Sequence, residues 1–487
     1  MVWALLIVAL GCQRPADRPF ADGFRFGTAV AGFQVEAGCP TLPAEDCEDR
    51  ASDWYQWVTD PELQAESGLF LSGDPVSAGP GMWETFEADA ARMRADGLGA
   101  LRLGLEWSRL FPDGAAFDAA SVDELDAFVD VDARDRYHAM FTALAENDLH
   151  AMVTVNHYTL PLWIHDGKAC HDDPEACTAT GWVDGARIVP QIARYAGWVA
   201  REYGGEVDEW ATLNEPLAIP VSGYLAPTAD RSNPPGLSQD GPRAVATVFS
   251  QIEGSAAMTD AIRAEDTVDA DGDGVAASVG LVLSMTWIEP RDPAKEADLR
   301  AAAHMDHFYH GLFLDGLTTG AWDDDLDGTF DRNRPELADR IDWVGVNYYA
   351  KVEVGGLSFS LVPEAPVFDF VPVIDWVPYG EGLTVLLARA TERGLPAIIT
   401  ENGLPSEDQD ARADSLRENL AATQAFAADG GDVRGYYYWT YVDNYEWNHG
   451  LGLRFGLYEL EADTKARLPR PVLGAYQEIL ARRGFDD

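Results

Sequence analysis

Short apolar runs alternate with helical patterns along most of the chain. Eight of these runs favour buried strands, because they are rich in β-branched and aromatic residues and stop at turn signals. In chain order they read FRFGTAVAG, ALRLGLEW, HAMVTVNHY, EWATLNEP, SVGLVLSM, WVGVNYYA, PAIITENG and VRGYYYWTYVD. Between them lie stretches such as WETFEADAARMRADG and ARIVPQIARYAGWVAREYG, whose apolar residues recur at three-to-four spacing. That spacing predicts amphipathic helices.

Strand and helix alternating eight times predict an α/β fold, a single (β/α)8 TIM barrel. Periodicity alone would also fit an open, doubly wound sheet, and the count of eight decides between the two. In such a barrel the chemistry lies at the C-terminal ends of the strands. Polar and aromatic side chains occupy several of these ends, namely His157, Asn214, Glu215, Asn347, Tyr349, Glu401 and Trp439.

Two of these strand ends carry a carboxylate directly after an apolar run. Glu401 stands in IITENG and Glu215 in TLNEP, on the seventh and fourth strands, which lie on roughly opposite sides of a barrel mouth. A single glutamate at a strand end is ordinarily a solvated surface group. Two that face each other among Trp, His and Asn match what glycoside hydrolysis requires, an acid for the leaving oxygen and a carboxylate for the anomeric carbon.

Seven motifs appear in an order that resembles one family. They are FRFGTAVAGFQVEAG, LRLGLEWSRLFP, VNHYTLPLW, WATLNEP, DWVGVNYY, IITENG and WTYVDNYEWNHGLGLRFGL. The chain is similar to glycoside hydrolase family 1, the β-glucosidase and β-galactosidase family, from Phe24 to about Gly484. Two further stretches, SDWYQWVTD and GPGMWETF, resemble the corresponding sequence motifs of the archaeal-type β-glycosidases more than those of the plant enzymes.

The resemblance implies catalytic roles residue by residue. Glu401 matches the nucleophile, and Glu215 matches the general acid/base. Arg102 matches the cation beside the nucleophile, which should hold Glu401 ionised by charge attraction, while Tyr349 should donate a hydrogen bond to it. Asn347 matches a supporting polar group near the acid. The implied mechanism is a retaining double displacement through a covalent glycosyl-enzyme, with no cofactor and no metal.

Other residues match the family's positions for binding the sugar, namely Gln34, His157, Asn214, Trp376, Trp439, Glu446 and Trp447. Asn214 matches the group that grips the 2-hydroxyl, and Trp439 the platform under the sugar ring. Trp376 matches the tryptophan that flanks the aglycone, although the surrounding DWVPYGEGL departs from the family's wording. The Glu446-Trp447 pair is intact and NHGLGLRFG offers no lysine, unlike the branches that cleave phosphorylated sugars. A carboxylate would also repel a phosphate.

The expected function is therefore exo-acting hydrolysis of small unphosphorylated β-D-glucosides or short oligosaccharides, and possible donors include galactosides and fucosides. Two alternatives stay open. One is a transglycosylase on the same site, and the other is a carbohydrate-binding pseudoenzyme or exported scaffold. The paired carboxylates favour an enzyme, because binding alone does not require an acid opposite a nucleophile.

The N-terminus predicts export. VWALLIVALGC holds an apolar run that is far shorter than the roughly 20 residues of a membrane span, and a signal peptide fits it better. Its small residue followed by Cys12 resembles a bacterial lipoprotein cleavage box, which would lipidate the cysteine and anchor the protein to a membrane. We expect a leader at 1–12, a linker at 13–23 and the catalytic domain at 24–487, in the periplasm or outside the cell.

The other four cysteines form two close pairs in sequence, Cys39 with Cys47 and Cys170 with Cys177. Two local disulfides in an oxidising compartment fit this spacing. A zinc site is the alternative, but neither pair has metal-ligand spacing.

Charge excludes one class of partner. The chain has 82 acidic and 35 basic residues, so nothing could neutralise a run of nucleic-acid phosphates. Two acidic loops, at 269–274 and 323–328, alternate Asp and Gly like the start of a calcium loop. Neither has a glutamate at the twelfth position, where Gly280 and Arg334 stand, so solvated turns are favoured over calcium.

Overall fold

The computed structural model describes residues 19–485 and has a closed barrel of eight parallel strands at its centre. The strands, labelled β1 to β8 here, are Arg25–Ala29, Ala100–Gly104, His150–Asn156, Glu209–Asn214, Ser278–Ser284, Trp343–Tyr348, Ala397–Asn402 and Val433–Trp439. Each strand pairs in parallel with the next, and β8 closes the barrel against β1. The predicted (β/α)8 barrel is confirmed.

The barrel strands are apolar because helices cover them on the outside. Strands β2, β4, β6 and β7 are buried at every position, as expected for parallel strands. The long helices are Met82–Ala95, Val131–Glu146, Gly185–Tyr203, Gly241–Glu265, Glu296–Asp306, Leu312–Thr319, Gly380–Thr391, Gln409–Ala428 and Pro471–Arg482. The first and third of these agree with the helices predicted at 83–97 and 186–204.

Shorter elements decorate the barrel. Short α-helices are Gly32–Glu36, Ala44–Cys47, Asp53–Thr59, Pro61–Ala65, Trp107–Leu110, Gly167–Asp172 and Ala218–Pro220. Single turns of 3-10 or π helix are Val76–Ala78, Gly114–Asp118, Asp123–Ala127, Gly181–Val183, Val221–Leu225, His307–Gly311, Pro335–Leu337 and Trp447–His449. A three-stranded sheet and two hairpins use Trp287–Pro290, Lys351–Gly356, Phe370–Asp375, Ala321–Trp322, Arg332–Asn333, Tyr458–Leu460 and Arg467–Pro469.

Both predicted disulfides are present, Cys39–Cys47 and Cys170–Cys177. Their four sulfurs are therefore not zinc ligands. The predicted leader at 1–12, with Cys12, and most of the predicted linker lie outside the described residues. Across residues 19–485, none of the helices combines the length and the apolar character that a membrane crossing requires.

Candidate functional site

A buried arginine organises the C-terminal mouth of the barrel. Arg102 on β2 donates from Nη1 to Glu401 Oε1 at 2.6 Å and from Nη2 to Asn214 Oδ1 at 2.7 Å. Its Nε donates to Thr154 Oγ1 at 2.9 Å, and its side chain is only 1% exposed. Arg102 thus fixes one residue on each of three other strands, β3, β4 and β7.

Glu401 is held from two sides. Its Oε1 accepts from Arg102, and its Oε2 accepts from the Tyr349 hydroxyl at 2.8 Å. Burial raises the pKa of Glu401 to about 7, and the nearby Glu215 adds to this rise, whereas Arg102 and Tyr349 oppose it. The carboxylate can therefore act as a nucleophile on the alkaline side of that value.

Glu215 is the second carboxylate at the mouth. Its Oε1 accepts from Asn347 Nδ2 at 2.9 Å, and its Oε2 accepts from the Tyr158 hydroxyl at 2.5 Å. Asn347 is itself fixed, because Thr400 donates to its Oδ1 at 2.7 Å and its Nδ2 also reaches Asn214 Oδ1 at 3.0 Å. A continuous set of hydrogen bonds therefore links the two carboxylates through Asn347, Asn214 and Arg102.

The strands are irregular where the two carboxylates stand. The register of β4 against β5 shifts between Ala211 and Asn214, and that of β7 against β6 shifts between Ile399 and Glu401. Glu215 follows with φ of +43°, a left-handed conformation that is rare for a non-glycine residue. Such irregularities re-aim side chains beside active sites.

His157 lies between two aromatic rings. Its imidazole stacks at 6.0 Å on Trp439 and at 5.8 Å on Trp447, measured between ring centroids. Burial, then the charges of Arg102 and Arg231, hold the pKa of His157 well below its usual range, so it is neutral. Because the oxygen of Asn214 already accepts from Arg102, its Nδ2 donates to His157 Nε2, at 3.0 Å, which places the imidazole proton on Nδ1.

Polar atoms around this aromatic group still have hydrogen-bonding capacity. Within residues 19–485, His157 Nδ1 and Gln34 Oε1 are buried without a hydrogen-bond partner. Gln34 Nε2 donates to Glu446 Oε2 at 3.0 Å, and Asn444 Nδ2 donates to the same oxygen at 3.2 Å. A donor, an acceptor and a carboxylate beside flat aromatic faces suit a ligand that is apolar on one side and rich in hydroxyls at its edge.

One predicted residue differs from the others in its exposure to solvent. Trp376 follows the edge strand Phe370–Asp375 and is 52% exposed. The other eleven predicted site residues lie at the barrel mouth and are buried, except for the partly buried Tyr349.

Sequence reasoning missed several residues that complete the cluster. The Tyr158 hydroxyl donates a hydrogen bond to Glu215, and Thr154 accepts one from Arg102. Thr400 donates a hydrogen bond that orients the amide of Asn347. A signal for Tyr158 was available, because it directly follows His157 at the end of a strand. Thr154 and Thr400 lie within apolar runs, where a threonine is an ordinary strand residue.

The structure gathers the acidic loops into two groups. Carboxylate oxygens of Asp208, Asp269 and Asp271 lie close together, as do those of Asp323, Asp325 and Asp327. Asp269 accepts from the backbone N–H groups of its own loop, at Gly272 and Gly274. The preference for solvated turns over calcium stays a prediction.

Comparison with known sequences identifies similar proteins. The profile described as "Glycosyl hydrolase family 1" matches residues 16–485. A protein named "Beta-galactosidase" from Pyrococcus woesei is 31% identical over 508 aligned residues, which cover 96% of this chain and 98% of the relative. Another of the same name from Saccharolobus solfataricus is 30% identical and covers 96% of each chain.

Solved structures show the same architecture. The β-glycosidase of Thermosphaera aggregans superposes with a TM-score of 0.82 at 27% identity, covering 96% of this chain and 98% of that one. The β-glucosidase of Pyrococcus furiosus gives a TM-score of 0.80 at 27% identity, with 96% and 97% covered. The similarity to archaeal-type relatives predicted from the sequence is confirmed.

Proposed function

The chain belongs to glycosyl hydrolase family 1 and is an O-glycosyl hydrolase, and we propose that it is a retaining, exo-acting β-glycosidase. It acts on β-glycosides, either small molecules or oligosaccharides. The proposed donors are unphosphorylated β-D-glucosides, together with β-D-galactosides or fucosides. They are cleaved by double displacement through a covalent glycosyl-enzyme.

One observation carries this proposal. Two buried carboxylates stand at the same barrel mouth, and each has a different set of partners. Glu401 accepts from Arg102 and Tyr349, whereas Glu215 accepts from Asn347 and Tyr158. Because Arg102 is bound directly to Glu401, we assign Glu401 as the nucleophile and Glu215 as the general acid/base.

The reaction then runs in two steps. Glu401 attacks the anomeric carbon while Glu215 gives its proton to the glycosidic oxygen, so the aglycone leaves. Glu215 next takes a proton from water, which attacks the anomeric carbon and frees the sugar from Glu401. Asn214, held by Arg102, binds the 2-hydroxyl in both steps.

The remaining groups support recognition of a neutral sugar. His157 Nδ1 and Gln34 Oε1 supply an unused donor and acceptor, and Glu446 supplies a carboxylate. A second carboxylate in the sugar site would repel a phosphate group. Relatives named β-galactosidase and β-glucosidase support galactosides and glucosides as donors.

The first test is mass spectrometry after incubation with 2,4-dinitrophenyl 2-deoxy-2-fluoro-β-D-glucoside. The fluorine slows both steps, while the good leaving group lets the first one proceed. We expect a stable fluoroglucosyl adduct on the peptide that contains Glu401. The first product of an ordinary aryl β-glucoside, followed by NMR, should keep the β configuration.

Each other outcome has a defined meaning. Turnover of aryl β-glucosides without an adduct would contradict the assigned nucleophile. If neither glucosides nor galactosides nor fucosides turned over, the carbohydrate-binding alternative would replace hydrolysis. A predominance of transfer products over free sugar would identify a transglycosylase.

We also propose that the protein is exported, with 1–12 as its leader and Cys12 as a lipid attachment site. The two disulfides support this, because such bonds persist in oxidising compartments. Expression in a bacterial host followed by N-terminal mass spectrometry should find a lipid-modified Cys12. A cytoplasmic protein that still begins at Met1 would contradict it.

A further inference from the structure

The position of the acid proton on Glu215 follows from the hydrogen bonds around it. Arg102 has only donors, so Asn214 must present its oxygen to Arg102. Asn347 must then present its amide nitrogen to that same oxygen, and this nitrogen is also the one that contacts Glu215 Oε1. Because Oε1 faces a donor, the proton of the carboxylic acid belongs on Oε2.

Oε2 is the oxygen that Tyr158 contacts. The Tyr158 hydroxyl lies 2.5 Å from it, at a side chain that is 3% exposed. Burial, then the charge of Glu215, raise the pKa of Tyr158 well above its usual range, so the phenol keeps its own proton. A neutral hydroxyl can donate one hydrogen bond and can also accept one.

The backbone is unusual at both ends of this bond. Tyr158 has φ of +71° and Glu215 has φ of +43°, and left-handed conformations cost free energy for residues of this size. The residue that packs on the Tyr158 ring, Trp447, also has positive φ, at +46°. Strained residues of this kind concentrate at functional sites.

The Tyr158 ring is held on two sides. Trp447 packs edge to face against it at 4.9 Å between centroids, and Cζ of Arg231 lies 5.6 Å from the ring centre. The segment that carries Arg231 is tied to the turn after Trp447. There, Ser232 N–H donates to Asn448 Oδ1 at 3.3 Å, and Asn448 Nδ2 donates to the carbonyl of Ala229 at 3.2 Å.

We propose that Tyr158 is a positioning residue for the acid/base, whose hydroxyl accepts the Oε2 proton of Glu215 before catalysis and donates to Oε2 afterwards. This inference rests on the proposed function. The proton balance is closed, because the transferred proton moves from Oε2 to the glycosidic oxygen while Tyr158 keeps its own. The O–H of Oε2 turns from Tyr158 to the glycosidic oxygen as the proton is transferred. The phenolic O–H then turns to donate to Oε2, so Glu215 has a hydrogen-bond partner both before and after the transfer.

The pH dependence of the step has a defined sign. The other charged or titratable groups near Glu215 and Tyr158 are Arg102, His157, Arg231, Tyr349, Glu401 and Glu446, and Asp53, His165 and Tyr224 line a cavity together with Tyr158. All of them remain in a Tyr158→Phe variant, which removes only the hydrogen bond to Oε2. The variant loses both an acceptor for the neutral acid and a donor to the ionised carboxylate. The hydrogen bond to the ionised form is the stronger of the two, so its loss moves the deprotonation of the acid/base to higher pH.

The test compares Tyr158→Phe with Tyr437→Phe. Tyr437 is buried on β8, and its hydroxyl has no hydrogen-bond partner within residues 19–485, so it is a matched control. For Tyr158→Phe we expect the alkaline limb of kcat/KM to move up by about one pH unit. With a poor phenol leaving group kcat/KM should fall about tenfold, whereas with 2,4-dinitrophenol it should change by less than about twofold.

A double-mutant cycle shows whether Tyr158 acts through Glu215. In the wild-type background, with the poor phenol leaving group, Tyr158→Phe should lower kcat/KM about tenfold, whereas in a Glu215→Ala background the same change should leave kcat/KM for that substrate unchanged. An equal loss in both backgrounds would overturn the inference, because Tyr158 would then be only part of the wall. Melting temperatures of all variants separate this result from misfolding.

The role of Tyr158 and the proposed β-glycosidase activity can be tested separately. A wild-type protein that hydrolyses β-glycosides, with a Tyr158→Phe variant whose pH profile matches that of Tyr437→Phe, would overturn only the role of Tyr158. A wild-type protein without β-glycosidase activity would overturn both this inference and the proposed function.

Discussion

Two arginines from one motif, LRLGLEWSR, each contact a different cluster of carboxylates, and Arg102 is buried whereas Arg109 is partly buried. Arg102 serves the barrel mouth, where it binds Glu401 at 2.6 Å. Arg109 serves a second cluster, where it binds Glu36 Oε2 at 2.8 Å and lies 3.9 Å from the centre of the Trp83 ring. Both clusters pair acidic residues with a cation away from solvent.

The Arg109 cluster includes another carboxylate with a shifted pKa. Burial, then the charges of Glu36 and Asp49, raise the pKa of Glu106 to about 8. Its two oxygens accept from the Phe33 N–H at 2.9 Å and from the Thr159 hydroxyl at 2.6 Å.

The clusters differ in what surrounds them. Around Glu106 the packing is closed, since a Cβ on Gly32 would lie 2.6 Å from a Glu106 oxygen. Around the barrel mouth, His157 and Gln34 keep polar atoms without partners in the described chain. A raised pKa and burial therefore do not mark a catalytic carboxylate by themselves. At the barrel mouth, the unused hydrogen-bonding groups of His157 and Gln34 provide the further distinction.

The largest difference should come from removing one carboxylate in each cluster. Glu401→Gln removes the nucleophile, so we expect kcat to fall by at least about 10⁴-fold. Glu106→Gln keeps the shape of a residue whose pKa burial raises to about 8, so kcat should stay within about fivefold of wild type. Steady-state kinetics on an aryl β-glucoside measures both.

Comparable losses in the two variants would remove the distinction between the clusters. Circular dichroism of Glu401→Gln is the control, because this variant should fold normally.

Glu215 should show a smaller and more selective effect. Glu215→Ala should lower kcat/KM about 10³-fold for a phenol that leaves poorly, because such a group needs a proton. With 2,4-dinitrophenol the first step should proceed at nearly the wild-type rate, and azide should speed the second step by taking the place of the activated water. A loss that is equal for both leaving groups would argue against the general acid assignment.

The fold could be predicted because its signal is repeated. Eight apolar runs with helical stretches between them leave little choice of topology, and each barrel strand begins within a few residues of its predicted run. The small sheet with Phe370–Asp375 was not predicted, because its outward side chains are exposed and carry no burial pattern. Trp376, at the end of that strand, therefore could not be positioned.

Only the site residues that stand in recognisable sequence motifs could be predicted. Glu215 and Glu401 follow from strand ends and family wording, but their partners depend on side-chain geometry between strands. Tyr158 looks like one more aromatic residue until the turn after β3 directs its hydroxyl to Glu215. Glu106 shows the opposite case, because it stands in a family motif but accepts from the Phe33 N–H and the Thr159 hydroxyl, outside the hydrogen bonds around Glu401.

Substitutions of Arg102 and Arg109 should differ in their effect on the pH dependence of kcat/KM. Arg102→Met removes the cation that lowers the pKa of Glu401, so that pKa rises above about 7. The nucleophile is then protonated over a wider range, and the acid limb of kcat/KM should move up by about one to two pH units. At about pH 6 this lowers kcat/KM roughly 10–100-fold, since each unit is a factor of about ten.

Arg109→Lys is the matched control for this measurement. It keeps a positive charge beside Glu36, and it lies outside the set of hydrogen bonds around Glu401. Its acid limb should coincide with that of the wild type. A limb that shifts equally in both variants would mean that a disturbance of either arginine, rather than the loss of the contact with Glu401, sets the pH dependence.

The smallest effect concerns stability and belongs to Glu106. Its pKa in the folded protein, about 8, lies above the ordinary value of 4.5. This contribution to stability is therefore fully present below pH 4.5 and is lost as pH rises through about 8. Glu106→Gln cannot ionise, so its free energy of unfolding should fall less than that of the wild type between about pH 6 and 7, by about 1.4 kcal/mol. Urea unfolding at several pH values measures this difference, and parallel curves for the two proteins would show that Glu106 is ionised in the folded state.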